Sequence, residues 1–287
     1  MKALSYGMDS LISRFRKPPL SGFEGYDKTR NFYVTGYPIS GNSWIAYVIA
    51  YVLNCQYHDI DSPEWSPQRV PLKKFLEGTN DHLGTKEYDW VLKTHAPPSI
   101  IPTNSTDRLI YVVRDVHDVA NSYFHRLEKT WPGSSDWKRR LLINVAKRLI
   151  PFRIRYRYVT RYFSRRWAAQ VQEVLDASNI PILQYEQFAK HPLETLEQII
   201  LSIDPAIWDE GIGRQALETF SFKNMKDAAK QAVTDETKKT DRVGGSGDYK
   251  NYFAPADLKW FECEFSNILS EIEVQSKFTG RGVKQSR

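Results

Sequence analysis

The sequence predicts a three-layer α/β protein, in which a parallel β-sheet is covered on both faces by helices. Apolar, β-prone segments alternate along the chain with segments of helical pattern. Each predicted strand is a nearly continuous apolar run, which is typical of a sheet buried on both faces. A glycine-bearing turn over residues 36–41 joins the first strand to the first helix. Ligands of such sheets bind at the carboxyl ends of the strands, so this edge is the predicted site.

The first half of the chain contains three predicted strands and two helices. The strand over 31–37 precedes an apolar helix over 44–54. That helix is apolar nearly all round, as a buried helix is. Further strands are predicted over 88–95 and 107–115, and a helix over 116–129 follows the third strand.

The second half begins with a basic helical segment, residues 131–178, that is broken near Pro151. A fourth strand is predicted over 180–188 and a helix over 191–203. A polar, glycine-bearing segment over 234–253 is predicted to be a mobile loop. A helix over 254–272 closes the chain, which we interpret as one domain over 1–287 with an N-terminal extension over 1–30.

The composition is that of an ordinary globular protein, with 41% hydrophobic and 26% charged residues. The longest apolar run, 44–53, spans ten residues, and a membrane helix needs about 20. No membrane span is therefore predicted. The two cysteines, Cys55 and Cys263, make no disulfide framework, and the N-terminus lacks the apolar core of a signal peptide. These observations predict a cytoplasmic protein.

The net charge of the chain is +6, and the excess positive charge is concentrated in one segment. Residues 138–166 hold eleven Lys or Arg and no Asp or Glu, so the rest of the chain is net negative. The favoured interpretation is a solvated helix face whose arginine stems pack on the domain. An anionic acceptor, an acidic membrane surface and nucleic acid are the alternatives. A nucleic-acid partner is not expected.

The turn after the first strand resembles a phosphate-binding loop. Gly36, Gly41 and Ser43 fit the spacing G-x-x-x-x-G-K-[ST], but Asn42 stands at the lysine position. Main-chain N–H groups and a helix N-terminus attract an anion at such a turn. An enzyme that uses nucleoside triphosphates needs the lysine, and usually Mg²⁺ as well. The loop therefore argues against a P-loop kinase.

Four segments resemble the family of sulfotransferases that use 3′-phosphoadenosine 5′-phosphosulfate (PAPS). The segment YPISGNSW (37–44) is similar to the family's 5′-phosphosulfate loop, Y-P-K-S-G-T/N-T-W. LKTH (92–95) resembles the strand that carries the catalytic histidine. YVVRDVHDVANSYFH (111–125) resembles the 3′-phosphate segment, and RVGGSGDYKNYF (242–253) the late R-K-G loop. The four matches occur in order over most of the chain, and they imply the P-loop-like sulfotransferase fold.

The resemblance assigns the donor-binding residues. The main chain of Ser40 and Gly41, with the side chains of Asn42 and Ser43, would hold the 5′-phosphate side of PAPS. Trp44 would stack on the adenine; its alternative role is that of a core tryptophan.

Two segments would hold the 3′-phosphate. Arg114 and Ser122 would donate to it, and Arg242 and Gly244 would close over it from the predicted loop. Val243 stands where the family usually has a lysine.

Three more residues are assigned to the adenine pocket. Tyr185 would reach the adenine edge, although an interior tyrosine is an equal interpretation. Ser221 and Phe222 match the family's T-S-F-K segment, in which Phe220 replaces the usual threonine.

The predicted reaction needs a base and a cation. By resemblance, His95 is the general base that takes the acceptor's proton. The family's loop lysine is Ile39 here. Three explanations stay open: Lys93 carries the cationic role, or another cation such as Arg242 or one from the basic segment does, or transfer is slow or absent. No histidine pair has metal-ligand spacing, so no metal is expected.

The acceptor is predicted only by class. A small molecule with a hydroxyl or amine, such as an alkaloid natural product, is preferred over a carbohydrate or lipid. Acidic loops at 59–65 and 77–82 could face a cationic acceptor. A PAP-binding relative with little or no turnover is the rival function, where PAP is the desulfated product of PAPS, and a homodimer is also considered.

Overall fold

In the computed structural model, five parallel strands form one sheet among the described residues, with the order β2-β3-β1-β4-β5. The strands are β1 (Asn31–Thr35), β2 (Gln56–Asp59), β3 (Trp90–Thr94), β4 (Arg108–Val113) and β5 (Ile182–Gln184). Every pairing is parallel. The structure describes residues 23–26, 29–61, 88–130, 148–177, 179–203, 205–221, 223–225 and 247–276.

Seven α-helices in the same residues connect and cover the strands. They are α1 (Asn42–Val52), α2 (Val116–Thr130), α3 (Phe152–Asp176), α4 (Tyr185–Lys190), α5 (Pro192–Ile203), α6 (Glu210–Thr219) and α7 (Pro255–Gln275). Short 3₁₀ helices lie at Pro98–Ile100, Pro205–Ile207 and Asp248–Asn251.

Each face of the sheet is buried under its own group of helices. Side chains alternate along a strand, so Ile110 and Val112 of β4 pack with α1, α5 and α6. Tyr111 and Val113 of the same strand pack with α2, α3 and α7. Tyr123 of α2 stacks on Phe163 of α3 with ring centroids 4.1 Å apart. The predicted three-layer fold is thereby confirmed.

One predicted element differs from the structure, and two observed elements were not predicted. The predicted strand over 180–188 was wrong beyond Gln184, because Tyr185 begins α4 and Phe188 packs into the core beside α1. Strand β2 and helix α6 were not predicted. The four residues of β2, QYHD, form no apolar run because only Tyr57 is buried.

Several predicted segments lie outside the described residues: most of the N-terminal extension, residues 131–147 of the basic segment, and residues 234–246 of the predicted loop. Among the described helices, none combines the length and the apolar character that crossing a membrane requires. Cys55 is buried, Cys263 is exposed, and both are free thiols.

Candidate active site

Four chain segments meet at the carboxyl edge of the sheet. The loop 36–41 follows β1, His95 follows β3, Arg114 follows β4 and Tyr185 follows β5. Strand β1 lies between β3 and β4, so its loop has His95 on one side and Arg114 on the other. The parallel topology thus brings the predicted donor-binding and catalytic residues to one place.

Two glycines allow the loop to lie against its neighbours. Gly41 has a φ of 88°, and a Cβ at this position would lie 2.4 Å from Cδ2 of Tyr185. A Cβ at Gly36 would lie 2.3 Å from the carbonyl oxygen of Val112. Larger residues would therefore push the loop away from β4 and from Tyr185.

Helix α1 begins directly after this loop. Gly41 precedes the helix and offers no side-chain cap, and the first turn contains no acidic residue. The first N–H groups of a helix have no partner within the helix, and the helix dipole favours negative charge there. This end of α1 is therefore suited to a phosphate or sulfate group.

Unsatisfied polar atoms surround the loop. Ser40 Oγ, Asn42 Oδ1, Trp44 Nε1 and Arg114 Nε are all buried and have no hydrogen-bond partner among the described residues. Buried polar groups in folded proteins are nearly always paired, because an unpaired one costs about 1–3 kcal/mol. Such atoms also occur elsewhere in the described residues, but these four lie at one sheet edge, where a polar ligand could pair with them.

Ile39 adopts a conformation that β-branched residues rarely take. Its φ is 73°, in the left-handed region. The carbonyl oxygen accepts a hydrogen bond from Nη1 of Arg114, over 3.2 Å. The side chain packs, partly buried, against the core on the α2–α3 face. The loop thus has an apolar, partly buried side chain at the position where the family has a lysine.

Arg114 connects the loop to helix α2. Its side chain is buried, with the guanidinium 4.7 Å above the ring of Tyr185. Nη2 lies 3.9 Å from Oδ2 of Asp118, and that carboxylate accepts from the main-chain N of Gly247 over 2.9 Å. Arg114 is therefore held in place next to the start of the segment 247–253.

Trp44 and Tyr185 form the aromatic part of the site. Their ring centroids are 6.1 Å apart in an edge-on arrangement, and Trp44 also contacts Phe188 at 4.9 Å. Burial raises the pKa of Tyr185, so its phenol is neutral at physiological pH. Both rings are only partly buried and can still contact a flat ligand.

The imidazole of His95 is oriented by the loop. Nδ1 lies 3.0 Å from the carbonyl oxygen of Gly36. Nδ1 also lies 3.2 Å from Nδ2 of Asn42, and that amide makes its shorter hydrogen bond, 2.9 Å, to the same Gly36 carbonyl. Because the carbonyl only accepts and is the nearer partner of Nδ1, we assign the hydrogen to Nδ1 and the lone pair to Nε2. Burial, and after it the charge of Lys93, lowers the pKa of His95 to about 3, while Asp61 opposes that shift. The ring is therefore neutral at pH 7.

Lys93 is paired rather than free. It is 4% exposed, and Nζ lies 3.2 Å from both oxygens of Asp59 and from Oδ2 of Asp61. Burial raises the pKa of Asp59, and Lys93 opposes that rise. Asp59 and Asp61 belong to the segment expected to face a cationic acceptor, but they contact this lysine.

For the remaining predicted residues, the structure gives fewer contacts or none. Ser43 lies in the first turn of α1 and Ser122 on α2, both partly exposed. Ser221 follows α6, and its Oγ accepts from the main chain of Asn224 over 3.4 Å. Phe222, Arg242, Val243 and Gly244 lie outside the described residues. Within the described part of the chain, no three potential metal ligands cluster.

Two residues of this site were missed from the sequence. Asp61 is predicted only as part of an acidic loop that could face a cationic acceptor, and Asp118 is assigned no role. The signal for Asp61 was its spacing of two from Asp59, which places both carboxylates on one side of an extended segment. That signal needs the position of β2, which the sequence did not reveal.

Residues 29–271 match the family model described as "Sulfotransferase domain". Sulfotransferase 1A1 of Bos taurus is 26% identical over 282 residues, which cover 91% of this chain and 90% of the relative. Sulfotransferase 1B1 of Canis lupus familiaris is 24% identical over 260 residues, with 84% of each covered.

Two solved structures share the fold. Mouse sulfotransferase SULT7A1 complexed with PAP has a TM-score of 0.52 and 21% identity, and 86% of each chain is covered. Retinol dehydratase in complex with retinol and PAP has a TM-score of 0.51 and 17% identity, covering 86% of this chain and 82% of that one.

Proposed function

This chain belongs to the sulfotransferase domain family, and on that basis we propose that it transfers a sulfuryl group from PAPS to a hydroxyl or amine of a small-molecule acceptor. The observation that carries the proposal is the group of buried, unpartnered polar atoms around the loop 36–41. They lie beside an uncapped helix N-terminus, where an anion is favoured.

The donor would lie across the strand ends. The main chain of Ser40 and Gly41, with Asn42 and Ser43, would hold its 5′ side. Arg114 would donate to the 3′-phosphate, because its guanidinium is charged, buried and retains an unpaired Nε–H. Ser122, on the helix that follows, would add a hydroxyl donor.

The adenine would lie near the two aromatic rings. Trp44 and Tyr185 are partly exposed and contact each other edge-on at the end of the site that contains Arg114. Stacking of a base on such a ring contributes about 1–3 kcal/mol. Ser221 and Phe222 remain proposed for the same pocket, as do Arg242, Val243 and Gly244 for the 3′-phosphate.

His95 would act as the general base. PAPS, when bound, supplies the sulfuryl group, which passes in line to the acceptor. A bond forms from the acceptor oxygen or nitrogen to sulfur, the bond from sulfur to the bridging phosphate oxygen breaks, and the acceptor's proton moves to Nε2 of His95. With Nδ1 hydrogen-bonded to Gly36, the neutral ring offers Nε2 for that proton.

Lys93 remains our first candidate for the cation near the bridging oxygen, because it is two residues before His95 on β3. Its charge is shared with Asp59 and Asp61, so its contribution is expected to be smaller than that of a free lysine. Main-chain N–H groups of the loop would supply part of the remaining stabilisation.

A thermal-shift comparison of PAP with ATP–Mg²⁺ tests the donor site. A ligand stabilises the folded state by RT ln(1 + [L]/Kd), about 2.7 kcal/mol at a hundredfold excess over Kd. We expect a large shift with PAP and little with ATP–Mg²⁺. An equal shift with ATP–Mg²⁺ would remove the sulfotransferase assignment of this site.

Turnover is tested by incubating the protein with PAPS and a panel of hydroxyl- and amine-bearing metabolites, with mass spectrometry detecting the gain of one SO₃ group. Alkaloid-like, carbohydrate and lipid acceptors belong in the same panel. The paired state of Lys93 and the apolar Ile39 favour one rival, a PAP-binding protein with little turnover. PAP binding without product for any acceptor would support that rival.

We also propose a cytoplasmic location and consider a homodimer. Two free cysteines, one of them exposed, are compatible with the reducing cytoplasm. A homodimer can be checked by light scattering.

A further inference from the structure

Asp61 connects three consecutive residues at the end of strand β3. Its Oδ2 accepts from the main-chain N of His95 over 2.7 Å and from Nζ of Lys93 over 3.2 Å. Its Oδ1 accepts from Oγ1 of Thr94 over 3.0 Å. One carboxylate therefore holds the backbone or side chain of every residue from Lys93 to His95.

The position of Asp61 is itself well determined. Strand β2 pairs with β3 in a register that sets Asp59 opposite Lys93. Asp61 follows two residues later, and its main-chain N donates to Oδ1 of Asp59 over 3.1 Å. The Ile60 N–H also donates to the carbonyl of Lys93 over 3.0 Å. The carboxylate thus reaches His95 from a segment that is hydrogen-bonded to β3.

Asp61 binds the main-chain N–H of His95, and two other contacts bind the ring and the carbonyl of that residue. Nδ1 contacts the Gly36 carbonyl, and the His95 carbonyl accepts from Nε2 of Gln170 on α3, over 3.2 Å. The main chain of His95 is therefore held on its N–H side by Asp61, two residues after β2, and on its carbonyl side by Gln170 of α3. With the main chain fixed, the ring can reach Gly36 and offer Nε2.

From these contacts we propose that Asp61 is a positioning residue for sulfuryl transfer, which fixes the main chain of His95 so that Nε2 meets the acceptor's proton. This inference rests on the proposed role of His95. Geometry, rather than charge, is the property that matters, since the 2.7 Å contact is directed at one N–H group.

Two substitutions separate geometry from charge. Asp61→Asn removes the charge but keeps an oxygen that can accept from His95, so it should keep most of the wild-type kcat. Asp61→Glu keeps the charge but moves the oxygens by one methylene, so it should lower kcat about 10- to 100-fold, the effect of a misplaced catalytic group. Both variants should retain PAP affinity.

Asp107 offers a matched control at the opposite edge of the sheet. It is buried, and its Oδ1 accepts from the main-chain N of Asn31 over 2.7 Å, the same kind of contact. Asp107→Glu should lower thermal stability and leave kcat per folded molecule unchanged. An equal loss of kcat in Asp107→Glu and Asp61→Glu would show a general structural effect and overturn the proposal.

The imidazole tautomer supplies a readout that does not depend on turnover. In ¹⁵N-histidine-labelled protein, the His95 signals are identified by their loss in His95→Gln. We expect Nδ1 protonated in the wild type, Asp61→Asn and Asp107→Glu, and mixed tautomers in Asp61→Glu. If the wild type consumes no PAPS, the proposed function fails, while this measurement still tests the orientation of His95.

Three results would overturn the role of Asp61. One is a wild-type rate and tautomer in Asp61→Glu. Another is a loss of kcat in Asp61→Asn of tenfold or more, and this result remains decisive where Asp61→Glu does not fold. The third is the equal loss in the Asp107→Glu control.

Discussion

The carbonyl oxygen of Ile39 accepts a hydrogen bond from Nη1 of Arg114 over 3.2 Å, and it does so with Ile39 at a φ of 73°. A non-glycine residue in this region costs about 1–3 kcal/mol, and β-branching makes it rarer. The bond therefore couples a strained loop residue to the arginine proposed for the 3′-phosphate.

Replacing Ile39 tests whether that strain is present. Ile39→Ala and Ile39→Gly both lose the packing of the isoleucine, but only glycine relieves the backbone. We expect Ile39→Gly to be more stable than Ile39→Ala by about 1 kcal/mol, measured by urea unfolding. Equal stabilities would show that the left-handed conformation carries no cost here.

Ile39→Lys tests the missing loop cation. A lysine at this position would place a charge next to the donor loop, and a well-placed charge changes such rates by up to about 10²–10³. We expect faster consumption of PAPS, measured as initial rate. Ile39→Met is the control, because it removes the β-branch without adding charge. A similar acceleration in both variants would assign the effect to the backbone.

The strands of this fold differ in how visible they are in the sequence. Strands β1, β3 and β4 are central and buried on both faces, so each appears as an apolar run. Strand β2 lies at the sheet edge and produces no such run, whereas β5 lies within the predicted strand 180–188 but is only three residues long. Tyr185 continues a β-prone composition, yet the segment is helical from Tyr185 and Phe188 packs into the core beside α1.

Some residues of the site could likewise be predicted from the sequence, and others could not. Gly41 follows one predicted strand and Arg114 lies at the end of another, so parallel topology alone implies that they meet. Tyr185 is predicted inside a strand, and it reaches the same edge because that strand ends at Gln184. The pairing of Lys93 with Asp59 and Asp61 could not be predicted, because it depends on the register of a strand that the sequence does not reveal. The local sequence pattern shows where strands end. Whether the charge of Lys93 is neutralised depends on which strand lies beside β3, and that is a property of the tertiary structure.

His95 should set a distinctive pH dependence. Its pKa is lowered to about 3, mainly by burial, so the neutral ring that accepts a proton persists as pH falls through 6.5. We expect kcat/KM to show no decline from His95 between pH 8 and 5.5. A histidine with an ordinary pKa would lose about tenfold by pH 5.5.

His95→Gln is the companion variant. Removing a general base lowers kcat about 10²–10⁴-fold, and PAP affinity from calorimetry should stay unchanged. A variant with wild-type turnover would exclude His95 as the base, and a tenfold decline of the wild type by pH 5.5 would contradict the lowered pKa.

Gly41 and Gly25 form a matched pair for the loop. Both have φ near 90°, but a Cβ at Gly41 would overlap Tyr185, whereas nothing lies within 4 Å of one at Gly25. Gly25→Ala should cost about 1 kcal/mol of stability and leave PAP binding unchanged. Gly41→Ala should cost about 1–3 kcal/mol more and weaken PAP binding, because Tyr185 must move. Equal effects on PAP affinity would contradict the close packing of the loop.

Arg114 should distinguish ligands by their 3′-phosphate. A hydrogen bond to a charged group contributes about 1.5–3 kcal/mol, so Arg114→Gln should weaken PAP binding roughly 10- to 100-fold. AMP has no 3′-phosphate, so its affinity should change much less, and the preference for PAP over AMP should largely disappear. Arg114→Gln also loses the charge that contacts the Ile39 carbonyl and Tyr185, so a general disturbance of the loop would weaken both ligands equally. Calorimetric titration of PAP and AMP against wild type and variant therefore separates recognition of the phosphate from support of the loop. An equal loss of affinity for the two ligands would contradict the proposed role of Arg114.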